Sequence, residues 1–298
     1  MTTALTLSAI QYTALDGGLA ANVPEHIRLI EDAESHGARL VIFPELSLTG
    51  YGREGLEEPG SWVTGGDGRL DGLREICRRT GITAVVGAPA READGTPRLA
   101  TLALHPNGGL DSGFRAWRYG REQPSVSVGG QPVMLDLDGW RIAVAGWPDI
   151  ARLDLSRPGL GFLNIVSPAE GGPDKVGPAA VHAGPGSPAE ARAGADICAV
   201  PALCTAGTDQ PPAVHPGALA RDNRMFSLLA NLGGTTDFGP SAGGSGVWGP
   251  DGLVIRQAAG TGTEVLTVTL EYGVLDRPAA RRAAPEPPGR GVLPAGPA

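Results

Sequence analysis

One carboxylate in this sequence stands where an apolar run gives way to a turn. The run Leu-Val-Ile-Phe at 40–43 is followed directly by Pro44 and Glu45, with a glycine at position 50. The run has the length of a buried strand, and the Pro and Gly indicate that it ends in a turn. Ligands of open α/β sheets bind outside the carboxyl ends of strands. Glu45 is therefore the first candidate for acid–base chemistry; the alternative is a glutamate that only caps the turn.

Other reactive side chains are few. The sequence has three cysteines, Cys77, Cys198 and Cys204, and an odd, sparse set predicts neither a disulfide framework nor a zinc site. Cys77 lies on the apolar face of a predicted helix, which favours a core position. Cys204 remains as a candidate thiol on a loop. His182 and His215, in Pro/Gly-rich loops, are candidate bases or solvated loop histidines. No metal and no cofactor is predicted.

The elements that position Glu45 are predicted from apolar periodicity. The opening reads as a strand at 6–10, a helix at 22–37 with Asn22 as its N-cap, and a strand at 39–43. This βαβ pattern indicates a layered α/β fold. Two further helices are expected at 67–80 and 213–229. Further strands are expected at 82–89, 99–105, 132–137, 140–145, 194–201, 228–231, 243–255 (two strands around a Pro-Asp-Gly turn) and 265–270.

The domain organisation is predicted from the positions of Gly and Pro and from the composition of each segment. The 298 residues include 46 Gly and 27 Pro, which predicts long irregular segments. We expect a single domain over residues 1–275, with an irregular Gly/Pro-rich insertion at about 150–192. Residues 276–298 are rich in Pro, Ala and Arg, and such a tail buries too little apolar surface to order itself alone.

Charge and hydropathy exclude several classes of partner. The formal net charge is −8, which argues against a nucleic-acid or anionic-membrane surface. No run of apolar residues reaches membrane-spanning length, and residues 1–5 do not resemble a secretory signal. We therefore expect a soluble, cytoplasmic protein.

Four stretches, taken in order, resemble the nitrilase, or carbon–nitrogen hydrolase, superfamily. They are residues 40–51 around Phe-Pro-Glu, the hairpin at 135–149, the Gly-Ala-Asp strand at 194–201, and the helix and strands at 221–231 and 243–252. The resemblance covers about residues 4–149 and 194–275. It implies a four-layer αββα sandwich, usually paired into a homodimer or a higher homo-oligomer.

The chemistry of that superfamily needs a glutamate base, a cysteine nucleophile and a lysine. Glu45 matches the glutamate. The cysteine belongs after the strand at 142–145, where Trp147 stands instead. The lysine belongs in the segment after Phe114, where Arg115 or Ala116 takes its place.

Two further features bear on that triad. Lys175 is the only lysine in the sequence, so no nearby shift of register supplies one. Arg115 can carry positive charge, but its planar guanidinium does not replace an ammonium geometrically. Glu122 falls near the position of a second active-site glutamate of the superfamily; the alternative is a solvated loop carboxylate.

An alternative alignment uses residues 175–188 as the nucleophile strand and elbow. It places Val181 or His182 at the nucleophile, and Pro178 inside the strand argues against it. Neither alignment supplies a cysteine.

Three hypotheses follow. The first is a pseudoenzyme that acts as a binding or assembly partner. The second is an enzyme acting on a small nitrogen-containing metabolite, with Glu45 as acid/base, Trp147 as a pocket wall, and Arg115 or Arg118 as an anion clamp. The third is an amidase whose nucleophile is the relocated Cys204.

Overall fold

The fold is taken from a computed structural model, which describes residues 4–51, 59–64, 66–91, 95–116, 133–146, 195–206, 215–237 and 239–275. The predicted insertion at about 150–192 and the predicted tail at 276–298 lie outside these residues. The single domain over 1–275 therefore stays a prediction. Within the described ranges, no helix is long and apolar enough to span a bilayer.

The helices of the described chain are α1 (Gly18–Ser35), α2 (Asp71–Thr80) and α3 (Pro216–Asn223), with 3₁₀ turns at Pro59–Ser61, Gly68–Leu70 and Tyr272–Leu275. The predicted helix at 67–80 is confirmed as the second 3₁₀ turn followed by α2. Gly81 ends α2 in the left-handed conformation, with φ 72°, which a residue without a Cβ adopts freely.

Two predicted helix boundaries were wrong. Asn22 does not cap α1, because the helix begins earlier, after Gly17. The buried Asn22 side chain instead donates to the carbonyls of Leu15 and Gly18, so it anchors the chain that enters the helix. The helix predicted at 213–229 ends at Asn223, and a strand begins at Phe226.

The first sheet has six strands in the order β14-β1-β2-β3-β4-β5. Their bounds are β1 Ala4–Gln11, β2 Leu40–Ile42, β3 Thr83–Arg91, β4 Pro97–Leu104, β5 Leu110–Ala116 and β14 Glu264–Glu271. β1, β2 and β3 are parallel neighbours, as the opening βαβ pattern predicts. Phe114 and Arg115 belong to β5 and pair with β4, so the strand pattern extends further along the chain than predicted.

The second sheet also has six strands, in the order β13-β12-β9-β8-β7-β6. Their bounds are β6 Val133–Leu137, β7 Trp140–Val144, β8 Ile197–Ala202, β9 Phe226–Asn231, β12 Gly246–Trp248 and β13 Val254–Gln257. β7, β8 and β9 are parallel. The predicted hairpin of β6 and β7 is confirmed, and Asp138 and Gly139 turn it with φ 53° and 89°, the geometry of a hairpin turn. Between β9 and β12, a short ladder joins β10 (Thr235–Thr236) and β11 (Gly239–Pro240).

The layers are α, β, β and α, as predicted. One apolar cluster lies between the first sheet and helices α1 and α2. A second fills the space between the two sheets, and a third lies between the second sheet and α3. Each sheet is thus buried on both faces over its central strands, which explains why their sequences are almost continuously apolar.

The carboxyl ends of the central strands of both sheets meet at one end of the sandwich. Just beyond β1 and β9, Tyr12 and Leu232 form a parallel bridge, and the Gly233 N–H donates to the Tyr12 carbonyl at 2.7 Å. The Leu232 N–H donates in turn to Ala202, the last residue of β8, at 3.2 Å. The segments that follow β2 and β8, which carry Glu45 and Cys204, are therefore brought to the same end.

Candidate functional site

Glu45 lies on a tight turn directly after β2. Leu46 adopts a left-handed conformation, with φ 51°, although it is not a glycine. The Gly50 N–H closes the turn by donating to the Leu46 carbonyl at 2.7 Å. A bulky residue in this conformation stores strain of about 1 kcal/mol or more. Such strain persists only where the surrounding structure holds it, and it is concentrated at functional sites.

Gly87 of β3 is what holds this turn. A Cβ on Gly87 would lie 2.3 Å from the Leu46 nitrogen, 2.8 Å from the Pro44 oxygen and 2.9 Å from the Glu45 carbonyl carbon. The two backbones therefore touch, and only glycine fits between them. The Leu48 N–H donates to the Gly87 carbonyl at 3.0 Å, which fastens the turn to the sheet.

The Glu45 carboxylate is partly buried and hydrogen-bonded. The hydroxyl of Tyr51 donates to Glu45 Oε1, and the Tyr51 ring packs against the apolar cluster under the helices. Tyr51 lies in the stretch that singled out Glu45, but no role was predicted for it. The signal that could have identified it is its type and position, an aromatic residue with a hydroxyl directly after Gly50.

Cys204 lies on the loop after β8, and its side chain packs against the cluster between the second sheet and α3. Its neighbour Leu203 packs against the same apolar cluster as Tyr51. Burial, and to a lesser extent the negative charge of Glu45, raise the pKa of the Cys204 thiol to about 11. Cys204 is therefore a neutral thiol at neutral pH, in the field of the candidate acid.

The other two cysteines are core residues. Cys77 in α2 and Cys198 in β8 are both fully buried. Burial raises the pKa of Cys77 to about 11 and that of Cys198 further still. The structure thus describes all three cysteines of the chain, and burial holds each of them as a thiol.

The end of β7 lies beside β8. Ala145 prolongs the parallel pairing by donating its N–H to the Ala199 carbonyl at 3.0 Å, and Gly146 is the last described residue there. Several sequence-predicted positions lie outside the described residues: Trp147, Glu122, Arg118, Lys175, Val181 and His182. Arg115 is placed in β5, opposite Leu99 of β4.

His215 has a structural role. It is the N-cap of α3, and its Nδ1 accepts from the Gly217 N–H at 3.0 Å. The ring also packs edge-on against Trp248, with 5.9 Å between centroids. This is the usual function of an N-cap side chain, so the candidate base is a cap at the start of α3.

Among the residues that the structure describes, no group of three or more His, Cys, Asp or Glu side chains could hold a metal ion. The described side chains that could take part in chemistry are the Glu45 carboxylate, the Tyr51 phenol and the Cys204 thiol.

The comparisons with known proteins agree with this geometry. The sequence model of the carbon–nitrogen hydrolase family matches residues 6–121, which include the strained turn and Glu45. Over those residues, the chain is similar to the carbon–nitrogen hydrolase family. A comparison with curated protein sequences gave no match.

Solved structures of one superfamily amidase, from Nesterenkonia sp. AN1, share the fold. A double variant with a glutamate and a cysteine replaced, in complex with acrylamide, superposes with a TM-score of 0.66 at 21% identity, over 94% of this chain and 96% of that one. A single cysteine variant gives 0.66 at 22% identity, over 93% and 95%. A further variant carries the acetamide moiety of fluoroacetamide on its active-site cysteine, with a TM-score of 0.64 at 22% identity, over 93% and 94%.

Proposed function

We propose that this chain is a carbon–nitrogen hydrolase-fold pseudoenzyme that binds a small nitrogen-containing molecule and does not perform the thiol hydrolysis of its superfamily. The observation that carries the proposal is the placement of its cysteines. Two are core residues and the third lies on the loop after β8, and the sequence has no cysteine between β7 and β8. In the proposal, Trp147 takes the nucleophile position and Arg115 lies near the lysine position.

The contribution of the missing nucleophile to turnover decides how much residual catalysis we expect. Removal of the nucleophile from an enzyme that works through a covalent intermediate costs on the order of a millionfold in turnover. Positioning and electrostatics alone recover little of that. A pocket with Glu45 but without the thiolate is therefore suited to binding.

The strained turn supports a retained pocket. Leu46 in the left-handed conformation and the contact with Gly87 hold Glu45 at the strand end at a cost in stability. A partly buried carboxylate there accepts charge-assisted hydrogen bonds from the N–H groups of an amide or an amine. Glu122 is a second candidate carboxylate for the same ligand.

The absence of thiol hydrolysis is tested on the full chain with a panel of small amides, nitriles and esters. We expect no acyl adduct by intact mass spectrometry, and no ammonia release above that of Cys204→Ser. An acyl adduct on any residue would contradict the proposal.

The binding part is tested by titration calorimetry with small amides and amines. We expect at least one ligand whose affinity falls tenfold or more in Glu45→Gln, because a hydrogen bond to a charged group contributes about 1.5–3 kcal/mol. Equal affinity in the unmodified chain and in Glu45→Gln would show that Glu45 does not contribute to binding of the ligand. Binding of no panel member would contradict the proposed class of ligand.

One observation favours a second function, an enzyme with a relocated nucleophile. The charge of Glu45 acts on the Cys204 thiol, and a carboxylate beside a neutral thiol can accept its proton during attack on a carbonyl. This amidase would lose turnover in both Cys204→Ala and Glu45→Gln and would be inactivated by iodoacetamide. An enzyme that uses Glu45 alone as acid/base would lose turnover only in Glu45→Gln.

A further inference from the structure

Two buried amide side chains stand at the ends of parallel strands. Gln11 is the last residue of β1 and Asn231 is the last residue of β9, and neither is exposed to solvent. A buried amide carries both donors and acceptors that need partners. The positions of those partners show what each amide holds.

Asn231 holds the backbone of Cys204 at both of its polar groups. Its Oδ1 accepts from the Cys204 N–H at 2.7 Å, and its Nδ2 donates to the Cys204 carbonyl at 3.1 Å. The same Nδ2 donates to the Gly243 carbonyl at 2.8 Å. The Asn231 side chain thus bonds to the N–H and the carbonyl of residue 204, as the backbone of a neighbouring strand would.

The loop that carries Cys204 is also tied to the segment before β12. The Cys204 carbonyl accepts from the Ala242 N–H at 2.8 Å, and the Ala206 N–H donates to the Pro240 carbonyl at 2.8 Å. Asn231 bonds to both segments at once, since it reaches Gly243 as well as Cys204. Its amide is therefore the common partner of the two segments.

Gln11 holds a different part of the same end. Its Nε2 donates to the carbonyls of Gly260 and Gly262 at 2.7 and 2.8 Å, and its Oε1 accepts from the Ser245 N–H at 3.2 Å. The Ser245 hydroxyl accepts from the backbone N–H of Asn231 at 2.9 Å. Gln11 thus holds the turn at 260–262 and reaches Asn231 through Ser245.

We propose that Asn231 is a positioning residue of the candidate site, which fixes the backbone of Cys204 and thereby sets the position of its thiol relative to the Glu45 turn. The bonds from Asn231 to both polar groups of residue 204 determine where that side chain points. Leu203 packs on the same apolar cluster as Tyr51, so both segments lie at this end of the first sheet. The proposal rests on Glu45 and Cys204 lining one site, and it holds whether or not that site has lost thiol hydrolysis.

The test measures how strongly Glu45 acts on Cys204. Iodoacetamide alkylates the thiolate, so the alkylation rate follows the fraction of ionised thiol. The buried Cys77 and Cys198 serve as unreactive internal references in intact mass spectra. Because the Glu45 charge disfavours the thiolate, we expect Glu45→Gln to raise the alkylation rate at pH 8 about twofold or more.

Asn231→Ala is then compared with Gln11→Ala, a matched loss of a buried strand-end amide. We expect Glu45→Gln to accelerate alkylation in the Gln11→Ala background and to have no effect in the Asn231→Ala background. A Glu45→Gln effect that survives in Asn231→Ala would overturn the proposal. Loss of the effect in both backgrounds would also overturn it, since that outcome indicates general loosening. The acyl-adduct assay tests the proposed function independently of this result.

Two further measurements cover the case in which Asn231→Ala does not fold. Asn231→Asp keeps an oxygen facing the Cys204 N–H, and it should retain the Glu45→Gln effect in part; complete loss in this variant argues against the proposal. In the unmodified chain, hydrogen exchange of a peptide that spans residue 204 should be slowed about a hundredfold or more relative to an unprotected peptide. Exchange at the unprotected rate would overturn the proposal.

Discussion

The turn after β2 and the loop after β8 meet at one end of the sandwich, but different forces hold them. Backbone holds the Glu45 turn, through the left-handed Leu46 and its contact with Gly87. Buried side chains hold the Cys204 loop, above all Asn231. A turn that is held by backbone contacts tolerates most side-chain changes outside its contact points. A loop that is held by one buried side chain can lose its position through a single substitution. The comparison predicts that single side-chain substitutions disturb the Cys204 loop more than the Glu45 turn.

The largest expected effect tests the backbone side of this comparison. Gly87→Ala places a Cβ 2.3 Å from the Leu46 nitrogen, and since backbone atoms cannot step aside cheaply, we expect a loss of about 3 kcal/mol or more in the free energy of unfolding. Gly273→Ala is the matched control, because no atom lies within 4 Å of its added Cβ. Chemical denaturation measures both variants. Equal stability would mean that the turn is not held by this contact.

A pH effect is expected beneath the same turn. His26 of α1 is fully buried and stacks on Phe43 at 4.1 Å between centroids. Burial, opposed by the bond from Nδ1 to the Asn22 carbonyl, lowers the pKa of His26 from 6.5 to about 3. The folded state therefore binds this proton less readily than the unfolded chain does, and His26 costs no stability above pH 6.5.

As the pH falls from 6.5 towards 3, the unfolded chain alone gains the proton. The free energy of unfolding should fall by about 1.4 kcal/mol per pH unit, or roughly 3 kcal/mol by pH 4. His26→Phe should remove that part of the acid sensitivity, and replacement of the exposed His36 by Ala should not. Denaturation curves between pH 7 and 4 test this. Identical acid profiles for His26→Phe and the unmodified chain would contradict it.

A pair of identical substitutions sharpens the comparison at intermediate size. Ser47 and Ser241 are both buried. The Ser241 hydroxyl donates to the Leu232 carbonyl and accepts from Gly243 N–H at 2.9 Å, whereas the Ser47 hydroxyl accepts from Gly87 N–H at 3.3 Å. We expect Ser241→Ala to cost about 2–3 kcal/mol and Ser47→Ala about 1 kcal/mol or less. The reverse order would show that side chains dominate at the Glu45 turn instead.

The smallest effect is expected at His215. Asn is a better N-cap than most residues, so His215→Asn should leave stability within about 1 kcal/mol of the unmodified chain. It should also leave Cys204 alkylation unchanged, because Asn retains the cap and with it the start of α3, which packs on the same cluster as Cys204. A loss of ligand binding or turnover in this variant would restore His215 as a site residue.

Much of the fold could be predicted from local patterns. The strand that ends before Glu45, the hairpin turned by Asp138 and Gly139, and the buried strand β8 all follow from apolar runs bounded by turn residues. The apolar run at 226–231 was partly assigned to the preceding helix. The structure ends that helix at Asn223, and Arg224 turns left-handed with φ 51° before β9 begins. Short apolar runs do not by themselves distinguish helix from strand.

The roles of Asn22 and Asn231 could not be predicted in the same way. Asn22 was predicted as an N-cap because Asn favours that position, but tertiary contacts placed it inside the helix as an anchor for the preceding loop. Asn231 stands at the end of an apolar strand, and its partner Cys204 is 27 residues away in sequence. Propensity rules describe neighbours along the chain, so they do not identify such partners.

The sequence by itself determined the position of the Glu45 turn, the layered α/β pattern and the inventory of three cysteines and one lysine, because apolar periodicity and turn chemistry act between near neighbours. The tertiary structure decided that Tyr51 donates to Glu45, that Gly87 must lack a side chain, and that Cys204 lies in the field of the carboxylate. The physical reason is burial. Packing the apolar faces of two sheets together brings the ends of strands from distant parts of the chain into contact.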